Sequence, residues 1–163
     1  MEPFLSIFIV CAAAFLAGNL NALAGGGSFI TLPALIFLGI SPINANTTSA
    51  ASLLPGYFGS VIGFKNLYRD LDRKHIITLA SIASASSVLG ALLLINTKDE
   101  VFISLLPWLI LLATLLFIFN PTKSKKEEKP GNLTQLLGVS LVSVYGGYFN
   151  GGLGIATLAA LSL

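Results

Sequence analysis

Two glycine-rich segments of this sequence carry small polar side chains in a pattern that could bind an anion. In the first, NALAGGGSFITLPAL, three glycines interrupt an apolar helix and Ser28, with Thr31 one turn later, stands where the N-cap of a new helix would. The first N–H groups of a helix have no partner within it, so a helix N-terminus inside a bilayer is a ready anion site. The predicted binding residues here are Asn21, Gly25, Gly26, Gly27, Ser28 and Thr31.

The alternative for this first segment is purely structural. Glycines also let helix backbones approach each other closely, and Ser28 would then cap only its own helix. Three consecutive glycines exceed what a small-residue packing motif needs, which favours the binding interpretation.

The second segment, YGGYFNGGLGI, predicts another broken helix that faces the first. Its predicted binding residues are Asn150, Gly151 and Gly154. Nine of the sixteen glycines lie within residues 18–30 and 145–155, and helix breaks at matching positions indicate a chain built from duplicated halves.

A third polar cluster opens the segment NANTTSAASLLPGYFGSVIGF. Asn46, Thr47 and Thr48 could cap the helix that follows them, or the polar cluster from Asn46 to Ser49 could line a vestibule or binding site, and the sequence leaves both open. Further along, Gly59 and Gly63 have the spacing of a close helix contact.

The sequence lacks the residue patterns of other kinds of binding site or of a catalytic site. We see no metal-ligand spacing, no nucleophile with a base, no P-loop, no dinucleotide fingerprint and no basic patch for nucleic acid. We interpret the single histidine, His75, as a residue at the membrane interface and the single cysteine, Cys11, as a packing residue. We therefore expect neither an enzyme nor a bound cofactor, and no catalytic residue.

The elements that position these segments are membrane helices. The sequence is 55% hydrophobic and only 10% charged, whereas about 25% of residues are charged in a soluble domain. A helix needs about 20 apolar residues to cross the bilayer. The uncharged runs cover residues 3–40, 43–64, 76–97, 101–122 and 130–163. The prediction is an all-α, polytopic transmembrane helical bundle with glycine-broken helices.

Charged residues give the topology. Eight of the nine basic residues lie in two connections, at 65–74 and 123–129, which the positive-inside rule places in the cytoplasm. The turn at 96–100 is then external, and the next helix is expected to begin near residue 101. The turn at 41–46 is external as well, with a descending helix from about residue 47. The sequence does not decide whether residues 1–40 cross once or twice.

The chain is expected to form one transmembrane domain over residues 1–163. Residues 1–122 form a first repeat, residues 123–133 a cytoplasmic linker, and residues 134–163 the start of an incomplete second repeat. Because the second repeat stops just after its glycine break, we expect a truncated protein or a fragment.

The order and spacing of these three segments resemble the sulfite exporter TauE/SafE family of membrane permeases, over most of the chain. The resemblance implies two related halves of several helices each, and transport of sulfite, sulfonates or related organic anions across the bacterial inner membrane. The sequence departs from the family at Asn150, where small residues are usual, and in lacking most of the second half.

Three functions stay open at this point. The first is a permease for a small anion, the second a passive channel or oligomeric pore, and the third an inactive or truncated membrane subunit. The expected partners are the lipid bilayer, a small anionic solute, and either further copies of the chain or a missing second half; nucleic acid is not expected.

Overall fold

The computed structural model describes residues 3–63, 65, 72–119, 133–154 and 156–157. Every element within this part of the chain is an α-helix, which confirms the all-α prediction. The helices are α1 (Pro3–Ala24), α2 (Ser28–Phe37), α3 (Pro42–Gly63), α4 (Arg73–Ile95), α5 (Asp99–Phe119) and α6 (Leu133–Tyr148).

Two of the described helices are long and apolar enough to cross a bilayer. They span Phe4–Ala22 and Arg73–Ile95, and only 6% of each stretch is buried within the chain. Large apolar side chains such as Phe4 and Phe15 point outward from α1. A surface this apolar is matched by lipid or by further helices, as the helical membrane bundle requires.

The first glycine break separates a long helix from a short one. Gly25 has a positive φ of 69°, which glycine adopts without cost, and its N–H closes the last turn of α1 on the carbonyl of Asn21 at 2.9 Å. The 10 residues of α2 reach only about 15 Å at the α-helical rise. Because the hydrocarbon core of a bilayer is about 30 Å thick, α2 is long enough to cross only half of it. Gly39, also with a positive φ of 86°, then turns the chain toward α3.

The predicted start of the descending helix near residue 47 is wrong by about a turn. The helix α3 begins at Pro42, so residues 42–46 are helical and the predicted turn at 41–46 is largely absent. Proline suits the first helical turn because its φ is already near the helical value. In addition, the Asp99 carboxylate accepts the N–H of Ile43 at 3.1 Å, so the cap comes from α5 and could not be found by local sequence.

Two other helices also begin earlier than predicted. The side chain of Asp72 accepts the N–H of Lys74 at 3.0 Å, and this cap starts α4 at Arg73 instead of near residue 76. In α5, Asp99 and Glu100 form the first turn, where acidic side chains suit the positive end of the helix dipole.

The helices pack as two groups around a shared core. The first three helices contact one another, α4 lies along α6, and α5 contacts α3. Between the groups, buried apolar side chains from four helices and the segment after α6 form the core, namely Leu32, Leu35, Ala45, Leu94, Phe102 and Phe149. The Phe102 ring centroid lies 6.4 Å from that of Phe149, so α5 packs directly on the second glycine break.

Glycine brings α4 and α6 into backbone contact. A Cβ atom on Gly90 would meet the carbonyl oxygen of Val144, and one on Gly147 would meet the carbonyl oxygen of Ser87. By contrast, a Cβ on Gly59 or Gly63 would meet no atom of the described residues, so the spacing of these two glycines makes no close contact there. The close glycine packing therefore lies between α4 and α6, whereas the sequence indicated it on α3.

Several expectations fall on residues outside the described ranges. These are residue 69 and most of the first basic connection, nearly all of the linker at 123–133, and the end of the chain beyond 157. The cytoplasmic side of both connections and the division into repeats stay predictions.

Candidate functional site

The two predicted helix breaks meet in space. After α6 the backbone turns at Gly152, whose φ is 72°. A Cβ atom on Gly25 would lie 2.7 Å from the Cα of Gly154, and one on Gly154 would lie 2.8 Å from the Cα of Gly25. The two backbones touch where neither residue has a side chain, so the second broken helix does face the first.

A buried hydrogen bond joins the two breaks. The Nδ2 of Asn150 donates to the Oγ of Ser28 at 3.1 Å, and the two residues are 8% and 2% exposed. The predicted N-cap role of Ser28 is wrong, because the cap position is Gly27, which is already helical at φ −56° and ψ −34° and makes no side-chain cap. The helical turn starts one residue early, which frees the Ser28 hydroxyl to accept from Asn150.

A second hydrogen bond ties α3 to the end of α6. The Nδ2 of Asn46 donates to the backbone carbonyl of Tyr148 at 3.0 Å, and Asn46 is only 3% exposed. The capping alternative for Asn46, Thr47 and Thr48 is wrong, since α3 begins before all three. The side-chain oxygen of Asn46 is buried and accepts no hydrogen bond from any described residue.

A hydrogen bond between Thr31 and Ser49 completes the arrangement. Ser28 and Thr31 lie one turn apart on α2, and Asn46 and Ser49 lie one turn apart on α3, so each pair shares a helix face. The contacts run in a closed circuit through α2, α3, the end of α6 and the second break, and back to α2. We call this circuit the polar ring; its side chains are Ser28, Thr31, Asn46, Ser49 and Asn150, and all are buried.

Ser49 ends the polar cluster that the sequence offers as a site lining, residues 46–49, although it was not named as a binding residue by itself. It is fully buried, at 0% exposure. Because α3 begins before residue 46, the spacing of three residues places Asn46 and Ser49 on one helix face, whereas Thr47 and Thr48 lie off that face.

Asn21 stabilises the backbone of the first break by accepting two hydrogen bonds. Its carbonyl accepts from Gly25 and its side-chain oxygen accepts from the N–H of Gly27 at 3.5 Å. A Cβ on Gly27 would lie 2.6 Å from the carbonyl oxygen of Ala17, so close packing, the structural alternative, does explain this glycine. Gly26 has more room, since the nearest atom to a Cβ there is on the Phe29 ring at 3.2 Å.

The remaining predicted residues lie at different distances from the polar ring. Gly151 is buried beside it, and its carbonyl accepts from the Tyr145 hydroxyl at 2.8 Å. Thr48 lines a cavity of about 60 Å³ together with Thr31 and Ser52, and a cavity needs only about 10–15 Å³ to hold a water. Thr47 is exposed, and its hydroxyl bonds to the carbonyl of Ile43 in its own helix, so it lies outside the ring.

The polar ring offers neutral groups alone. Hydroxyls, amides and backbone carbonyls make all its contacts, and the acidic and basic side chains that the structure describes lie at helix ends or turns. Among the described residues no group of three or more His, Cys, Asp or Glu could hold a metal ion. The arrangement can therefore solvate a small polar solute by hydrogen bonds and helix dipoles.

Comparison with known proteins places this arrangement in context. Residues 10–163 match the family described as "Sulfite exporter TauE/SafE". A "Probable membrane transporter protein" of Haemophilus influenzae is 32% identical over 95% of this chain and 60% of its own length. "Probable membrane transporter protein ORF9" of a Sinorhizobium species is 32% identical over 93% and 61%.

A third relative has similar coverage. "Probable membrane transporter protein YfcA" of Escherichia coli K12 is 30% identical over 91% of this chain and 59% of its own length. The chain thus spans about 60% of the length of these relatives. No solved structure matches the chain.

Proposed function

The chain belongs to the sulfite exporter TauE/SafE family of membrane transporters, and from this premise we propose that it forms the first part of a permease that moves a small anion across the bacterial inner membrane. The polar ring is the proposed binding site. The observation that supports it is the meeting of two glycine breaks at a buried set of neutral hydrogen-bonding groups. Transporters often place their sites where broken helices from two repeats meet.

The anion would be solvated mainly by the start of α2. Because Asn21 already holds the amides of Gly25 and Gly27, the proposed donors are the amides of Gly26 and Ser28. The Thr31 and Ser49 hydroxyls use one of their two hydrogens to bond to each other, and the Thr31 hydrogen would assist by turning from the Gly27 carbonyl, 3.4 Å away, to the anion. A helix N-terminus carries about half a positive charge, and such a site holds an anion less tightly than an arginine clamp, which suits a solute that must be released again.

The outward faces and the partners complete the proposal. Lipid would cover the apolar faces of α1 and α4. The remaining two-fifths of the relatives' length would supply further helices around the second break, or a second copy of the chain would do so. Sulfite, a sulfonate or a related organic anion is the proposed cargo.

Sulfite uptake into proteoliposomes tests this function, using the protein expressed from its full reading frame. A matched pair of variants addresses the site, because the hydroxyls of Thr31 and Thr114 both bond to the carbonyl four residues earlier, but only Thr31 is buried in the polar ring. We expect saturable uptake, with KM raised roughly tenfold in Thr31→Val by loss of one buried hydrogen bond and unchanged in Thr114→Val.

Two results would overturn the proposal. Uptake that rises linearly with sulfite concentration would indicate a passive pore. Equal kinetics in the two threonine variants would place the site elsewhere in the protein.

A further inference from the structure

We propose that the solute bound at the polar ring donates a hydrogen bond to the side-chain oxygen of Asn46, so that the ring selects small anions that still carry a proton. This inference rests on the proposed function and names the class of anion. A protonated oxyanion, with one O–H group and one negative charge, is the simplest solute that meets the requirement.

The first step is the orientation of the Asn46 amide. Its nitrogen faces the backbone carbonyl of Tyr148 at 3.0 Å, and a carbonyl can only accept. The opposite end of the amide is therefore the oxygen, which can accept up to two hydrogen bonds.

The second step is that this oxygen lacks a hydrogen-bond donor. It is fully buried and accepts no hydrogen bond within the part of the chain that the structure describes. Buried polar atoms in proteins are almost always paired, and an unpaired acceptor is costly. Among the buried side-chain nitrogens and oxygens that the structure describes, this oxygen is the one without a hydrogen-bond partner, so Asn46 requires a donor from outside the described chain.

The third step is position. Asn46 lies one turn from Ser49 on α3 and bonds to Tyr148, two residues before Asn150. The acceptor therefore belongs to the same ring as the groups that would solvate the anion. A fully deprotonated oxyanion would place acceptor oxygens against the Asn46 oxygen and be repelled, whereas a singly protonated one supplies the missing donor.

Two matched anions test the inference on the protein expressed from its full reading frame. Methanesulfonate and the methylphosphonate monoanion have the same charge and nearly the same shape, but only the phosphonate carries an O–H group. We expect methylphosphonate to bind roughly fivefold to a hundredfold more tightly, the penalty for leaving a buried acceptor unpaired. Equilibrium binding at mildly acidic pH, where methylphosphonate carries a single charge, measures the ratio.

Variants locate the preference. Asn46→Leu should bring the affinity ratio close to one, while Asn44→Leu, on the exposed face of the same helix, should keep it. The ratio in the unaltered protein decides the class of anion even if Asn46→Leu fails to fold.

Each other outcome contradicts a distinct claim. Equal, measurable binding of the two anions would overturn the inference and leave the anion site standing, and so would a preference that persists in Asn46→Leu. Sodium-dependent binding with a ratio of one would assign the Asn46 oxygen to a cation instead. Binding of neither anion, nor of sulfite, would overturn the proposed function and the inference together.

Discussion

Alanine at Gly27 should destabilise the protein because the site depends on close packing behind the first break. Gly27 has an ordinary helical φ and ψ, so an alanine there is strained only by its neighbours. Its Cβ would lie 2.6 Å from the carbonyl oxygen of Ala17, 2.9 Å from the Cβ of Asn21 and 3.0 Å from a methyl group of Leu53. Two of these three atoms are fixed to the backbone, so the backbone of α1 or α2 must move.

The size of the effect follows from these contacts. Overpacking costs about 1–3 kcal/mol, and loosening the bond between Gly27 and Asn21 adds about 1 kcal/mol. We therefore expect a loss of roughly 2–4 kcal/mol, which corresponds to a fall in Tm of about 5–15 °C for a protein of this size or somewhat larger.

Gly26→Ala is the matched control. The nearest atom to its new Cβ is 3.2 Å away on the Phe29 ring, which can rotate, and its φ is not in the positive range that favours glycine. The loss of unfolded-state entropy favours alanine by about 0.4–1 kcal/mol, so its stability should change little. Thermal unfolding of both variants in detergent makes the comparison. Equal Tm values for the two would refute the packing argument, since they would show that α1 and α2 yield without cost.

Three further predictions concern other contacts. Ser28→Ala and Asn150→Ala should each lower stability, and a double-mutant cycle should give a coupling of about 0.5–1.5 kcal/mol; no coupling would mean that the bond at 3.1 Å does not form. Asp99→Ala removes the cap on α3 and should cost about 1 kcal/mol, and a Tm equal to that of the unaltered protein would contradict that role. In intact cells an impermeant thiol reagent should label Lys98→Cys and spare Arg69→Cys, and equal labelling would reverse this topology.

Much of the fold can be predicted from the sequence because it depends on local composition. The long uncharged runs specify membrane helices, and the triple glycine specifies a break. The structure has helices along the uncharged runs that it describes, and the first break lies at Gly25. The first residue of a helix is harder to predict. The cap of α3, for example, is Asp99, which lies 56 positions from Ile43 in the sequence. A partner at that distance leaves no local signal.

The site was predictable in outline and not in detail. Asn150 and Ser28 were both identified, yet their direct pairing depends on how two helices dock, which spacing does not encode. For the same reason the close backbone packing between α4 and α6, through Gly90 and Gly147, could not be read from either helix alone. The glycine content of a helix indicates that another backbone packs closely against it but does not identify that neighbouring helix.

The most direct test of the central claim is whether sulfite binds at the polar ring. A ligand that binds only the folded state stabilises it by about 2.7 kcal/mol at a hundred times its Kd, so sulfite should raise the Tm of the protein expressed from its full reading frame in a concentration-dependent way. Thr31→Val, which removes a hydroxyl of the polar ring, should lose about half of this rise at the same sulfite concentration, because a tenfold weaker Kd lowers the stabilisation to about 1.4 kcal/mol, whereas Thr114→Val, at an exposed position on α5, should retain it. An equal rise in both variants, or none in the unaltered protein, would contradict the claim.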